Sequence, residues 1–67
     1  MPKFMQINQD AVYYDDYAES FEFLARFVEL DKHSDETKEA FKTLFFHAWK
    51  TDGQFRWNNN LINIIRY

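Results

Sequence analysis

The sequence predicts an all-α fold, a small three-helix bundle with an extended N-terminal arm. Three observations lead there. Residues 14–30 hold helical periodicity. Ser34 and two acids open a second periodic run. Trp57, Leu61, Ile64 and Ile65 then recur at helical steps. The expected helices cover about 15–31, 35–51 and 59–66, in a single domain spanning 1–67.

Residues 1–13 hold no period, although Phe4, Met5, Ile7, Val12 and Tyr13 are apolar. They read as an arm laid across the helices, with Phe4 and Ile7 as plugs. In the first helix Tyr17, Phe21, Leu24 and Val28 fall at steps of four, three and four, which gathers them on one face. Phe23, Phe27 and Leu30 form a stripe beside it. Asp16 and Glu19 have capping-box spacing at its start. Glu22 and Arg26 stand i, i+4 with the acid first.

The second helix starts from Ser34 as N-cap, with Asp35 and Glu36 in its first turn. Phe41, Leu44, Phe45, Ala48 and Trp49 share a face, and Phe46 projects away from it. Gly53, the one glycine, suits a left-handed C′ position. In the third segment Asn58, Asn59 and Asn60 suit a helix N-cap. A rival α+β reading pairs residues 3–7 with 54–57 as a two-stranded ribbon, because Phe55 and Trp57 alternate with polar residues and isoleucine favours strands.

The composition narrows the function. A domain of this size buries only about 60% of its unfolded surface. With no cysteine it has neither a disulfide nor a thiolate zinc site to help. Fourteen aromatic residues among 67 are the compensation, and their excess points to self-association as a homodimer or to a protein partner. The net charge is −3, against the basic footprint of a nucleic-acid binder. It is unevenly spread, −6 over residues 1–36 and +3 over 37–67. No apolar run approaches the ~20 residues of a membrane span, and no signal-peptide core is visible. The chain reads as soluble and cytoplasmic. Abundant Phe, Tyr, Asn, Ile and Lys, residues with A/T-rich codons, hint at a phage or plasmid source.

No residue pattern supports catalysis or a cofactor. Asp31, His33, Asp35 and Glu36 cluster in a turn but lack the glycine of a calcium loop. No pair of histidines is spaced i, i+4, and one glycine cannot build a phosphate-cradling loop. A helix-turn-helix built from helices two and three is the DNA-binding alternative, although few lysines and arginines surround it. Two signals point instead to a protein partner. Asp15, Glu19, Glu22 and Glu29 run along one helix face at ~5–6 Å spacing, close to that of nucleic-acid phosphates. They could occupy a basic groove on a nucleic-acid-handling host protein. Phe23, Phe46, Phe55, Trp57 and Tyr67 exceed what a three-helix core holds, and aromatic residues anchor interfaces. The expected function is a non-enzymatic interaction module, a small inhibitor or regulator. It would bind its partner through Phe23, Phe46, Phe55 and Trp57 and the acids 15, 19, 22 and 29, with no metal and no catalytic residue.

Overall fold

The computed structural model describes residues 3–66, apart from the side chains of Ala11 and Val12; Tyr67, counted above among the spare aromatics, lies outside them. Strands β1 (Lys3–Ile7) and β2 (Ala11–Tyr13) form a hairpin. Helices α1 (Tyr17–Phe27) and α2 (Asp35–Thr51) follow, with a 3-10 turn at Leu30–Lys32 between them. A second hairpin, β3 (Gln54–Trp57) and β4 (Asn60–Arg66), closes the order. The four strands make one antiparallel sheet in the order β2-β1-β4-β3.

This architecture is α+β and overturns the three-helix bundle. The expected third helix, 59–66, is β4, a central strand. Its helical spacing was a coincidence of apolar residues on both faces of the strand. Ile62 and Ile64 are buried, while Leu61 and Ile65 on the other face are half-buried. The mixture hides the two-residue period. The three asparagines are not a helix cap. Asn58 and Asn59 are a two-residue hairpin loop with φ of 49° and 67°, the positive values a tight turn of this kind requires. The expected arm is likewise strand β1. Residues 3–7 and 54–57 are both strands, but they do not pair with each other: β4 lies between them. With residues 60–66 in a sheet, the second helix of a helix-turn-helix does not exist.

The helices cover one face of the sheet. Met5 and Ile7 of β1 and Ile62 and Ile64 of β4 point into that layer, where they meet Leu24, Val28, Leu30, Phe41, Phe45 and Ala48. Phe41 and Phe45 are fully buried, with ring planes 4° apart. One covered face and one open face is an ordinary solution for an antiparallel sheet. Asn8 extends the centre of the sheet: its backbone N–H donates to Leu61 O at 2.6 Å, and its side-chain Oδ1 accepts from Leu61 N at 3.1 Å.

The helix starts follow the sequence. Asp16 caps α1, its Oδ2 accepting from Glu19 N at 3.0 Å, and Ser34 caps α2 through Thr37 N at 3.3 Å. The ends differ. α1 stops at Phe27 rather than near 31, and Glu29 takes a left-handed backbone with φ 54°. In a continuous helix Leu30 would sit roughly 200° around from Val28. The break turns it inward, so that both side chains are buried. At the end of α2 the left-handed residue is Asp52, with φ 54°, not Gly53. Gly53 is a place of close packing instead: a Cβ there would stand 3.1 Å from Thr51 Oγ1.

Candidate functional site

Most large side chains of this fold are spent on the core, so exposed ones are informative. Among the described residues the exposed large hydrophobics are Tyr14, Phe27, Leu44 and Phe46. Two of them belong to one cluster. Strand β2 ends at Tyr13, and α1 passes beside it, so that Phe23 stacks on Tyr13 at 4.1 Å between ring centroids. Phe27, one turn further along α1, is stacked on Phe23 at 6.3 Å. Tyr14 meets Phe23 edge-on at 6.1 Å. Tyr14 is 44% exposed and Phe27 47%. The result is an aromatic edge, with Phe23 as its half-buried centre.

Acids border that edge. Tyr14, Glu19, Glu22, Phe23 and Arg26 surround a small hollow of about 100 Å³. Arg26 is held by Glu22 at 2.8 Å, which neutralises that acid. Asp15 and Glu19 are exposed and have no cation within ion-pair distance among the described residues. The acidic stripe is therefore not a uniform field. Its far end is neutralised too: Glu29 pairs with Lys32 at 2.7 Å. The hydrogen bond from Lys32, and then the charge of that lysine, hold the Glu29 carboxyl below its ordinary value of 4.5. Lys32 is raised above 10.5 by the same contact.

The eight residues expected at the interface thus separate. Phe23, Glu19 and Glu22 come together around the small hollow, with Asp15 at the start of α1. Phe46 stands elsewhere, 51% exposed on α2, edge-on to Tyr17 at 6.0 Å and with Lys50 Nζ 5.1 Å above its ring. Phe55 and Trp57 pack under α2 against Phe41, with centroids 6.1 and 5.2 Å away. They are half-buried and line the core's edge. Glu29 sits beyond the end of α1.

No protein-family model, curated protein or solved structure matches this chain. The site has to be read from its own chemistry. Among the described residues no group of three or more histidine, cysteine, aspartate or glutamate side chains could hold a metal ion. Among the described residues no helix is long and apolar enough to cross a membrane. Sequence reasoning missed Tyr13, Tyr14 and Phe27 as members of the edge. Phe23 and Phe27 at i, i+4 were a visible signal, but the two tyrosines join them only because residues 11–13 are a strand.

Proposed function

We propose that this protein is a non-enzymatic interaction module, a small inhibitor or regulator. It docks the aromatic edge of Tyr14, Phe23 and Phe27 onto a basic surface of a partner protein. The observation that carries this reading is one cluster with two half-exposed rings beside two acids, Asp15 and Glu19, that have no cation within ion-pair distance among the described residues. Exposed rings supply anchors of the kind that dominate binding energy. Unpaired acids at the rim favour a basic partner, speed its approach and make binding sensitive to salt. A nucleic-acid-handling protein offers such a surface.

The test is affinity capture from host lysate with mass spectrometry. It compares the native chain with Tyr14→Ala/Phe27→Ala and with Glu19→Lys, each checked for its fold by circular dichroism. The expected result is a basic protein retained by the native chain, lost with the double alanine variant, and released by salt more readily from Glu19→Lys. The same proteins captured by all three forms would overturn the reading.

A further inference from the structure

Strand β3 is an edge of the sheet. Gly53 O accepts from Ile64 N at 2.9 Å, so Gly53, Phe55 and Trp57 turn their backbone polar groups toward β4. Gln54 and Arg56 alternate with them and turn theirs outward. No hydrogen bond among the described residues uses those outward N–H and C=O groups. Such an edge is a template for another strand.

Above this edge, α2 presents a flank of matching character. The helix lies over β3 and β4: Phe41 and Phe45 meet Phe55 with centroids 6.1 and 6.3 Å away, and Ile62 and Ile64 share their core. Lys42 marks the side of α2 that faces α1, across a hollow from Tyr17 and Phe21. Ala40 and Leu44 are each two residues from Lys42, so they point roughly 200° around from it, away from α1 and past β3. Thr37, Ala40, Leu44, His47 and Thr51 follow one another at steps of three and four, the seam spacing of paired helices. No acid, lysine or arginine falls on this seam, although α2 carries six of them elsewhere. Leu44 is 41% exposed there. Depletion of charge marks the core of an interface.

We infer that this side of the molecule binds a second copy of the chain, β3 to β3, antiparallel about a twofold axis at Phe55. The outward groups set that register. With Phe55 opposite Phe55 of the second copy, Gln54 stands opposite Arg56 in both directions, and all the outward N–H groups meet a carbonyl. A register centred on Gln54 or on Arg56 satisfies only half of them within the strands, and the latter sets two arginines face to face, which is unfavourable. Trp57 then falls opposite Gly53 of the second copy, where no side chain competes for room. The helices fit the same axis. Strands lie about 4.8 Å apart, so the midline between β3 and β4 stands about 5 Å from the axis. The two α2 helices over those midlines are then about 10 Å apart, within helix contact distance. Phe55 is level with the turn from Phe41 to Phe45, so Leu44 meets Leu44 of the second copy. A foreign strand added to β3 would leave Leu44 uncovered, whereas a second copy covers edge and seam together. The aromatic edge of Tyr14, Phe23 and Phe27 lies beside β2, at the other side of the sheet, and stays free.

Light scattering over a concentration series provides the test. The molar mass should double as concentration rises, and the Gln54 and Arg56 amides, free in the dilute monomer, should exchange more slowly in the dimer. The chain has no cysteine, so single substitutions report the geometry. Leu44→Cys should give a disulfide-linked dimer on mild oxidation. Phe46→Cys, exposed on the far side of the same helix, should not. Leu44→Glu and Arg56→Pro should each give a monomer with the circular dichroism of the native chain. Proline at an edge position removes an outward N–H and leaves the ladder to β4 whole. Three results would each overturn the inference: a strict monomer even at ~1 mM, where any Kd below that value would show; a dimer that either Leu44→Glu or Arg56→Pro leaves intact; or cross-linking of Phe46→Cys as readily as of Leu44→Cys.

Discussion

Asp52 shows how much one residue can combine. It terminates α2 with a left-handed backbone, and its carboxylate meets Lys3 Nζ at 3.2 Å and Arg66 Nη1 at 3.5 Å. Lys3 also donates to Trp49 O at 2.7 Å. One acid therefore ties the end of α2 to both central strands. Desolvation pushes the Asp52 carboxyl up, but the contacts with Lys3 and then Arg66 outweigh it and hold the carboxyl below its ordinary value of 3.8. A depressed carboxylate stabilises the fold fully above that ordinary value. The contribution is lost as pH falls through the lower folded value. Asparagine tolerates the left-handed backbone, so Asp52→Asn removes charge without strain. Urea unfolding of the two forms should show Asp52→Asn less stable at pH 6, with the two midpoints converging as pH falls below 3.8. A constant difference across that range would mean that the charge is not the cause.

At the scale of elements, the legible parts were those whose ends carry their own chemistry. Asp16 and Ser34 announce α1 and α2 because a side-chain oxygen that accepts from a backbone N–H works the same way in any context. Strand β4 was illegible because its face is decided by neighbours that the sequence does not name. Asn63 and Ile65 look outward only once β1 and β3 flank the strand. The Asn58–Asn59 loop was the decisive signal, since two successive residues at positive φ join β3 and β4. A left-handed backbone costs a residue with an ordinary side chain roughly 1–2 kcal/mol. Asn58→Ala/Asn59→Ala should therefore destabilise the protein by about 2–4 kcal/mol in equilibrium unfolding, whereas Asn59→Gly should be neutral or stabilising. If the alanine pair costs nothing, the turn is not of this type. The candidate site followed the same division. Phe23 and the acids of α1 were readable from helical spacing, while Tyr13 and Tyr14 needed the sheet.

On the scale of the whole molecule, charge and layer coincide. The four strands contain no aspartate or glutamate, so all the described acids belong to helices, turns and connections. The sheet's open face carries Phe4, Gln6, Leu61, Asn63 and Ile65, all half-buried. Stability should be graded from the centre outward, because β1 and β4 are paired on both sides while β2 and β3 are edges. Native-state hydrogen exchange of the dilute monomer should find the Gln6 and Asn63 amides, opposite each other between the two central strands, slowest and the unpaired edge amides of β3 fastest. Equal rates across all four strands would show a single all-or-none opening instead.

The adjacency of β1 and β4 also sets the order of events in synthesis. β1 is made well before β4 yet lies beside it, with Lys3 opposite Arg66. Until residues 60–66 leave the ribosome, both helices lack half of the surface on which they pack. A nascent chain that has emerged through α2 therefore exposes Phe41, Phe45 and Met5 together. Sheets closed by such distant pairings form late and slowly. Escape from chaperones and proteases thus depends on residues 60–66, and a truncation within them removes a strand at the sheet's centre rather than a dispensable segment.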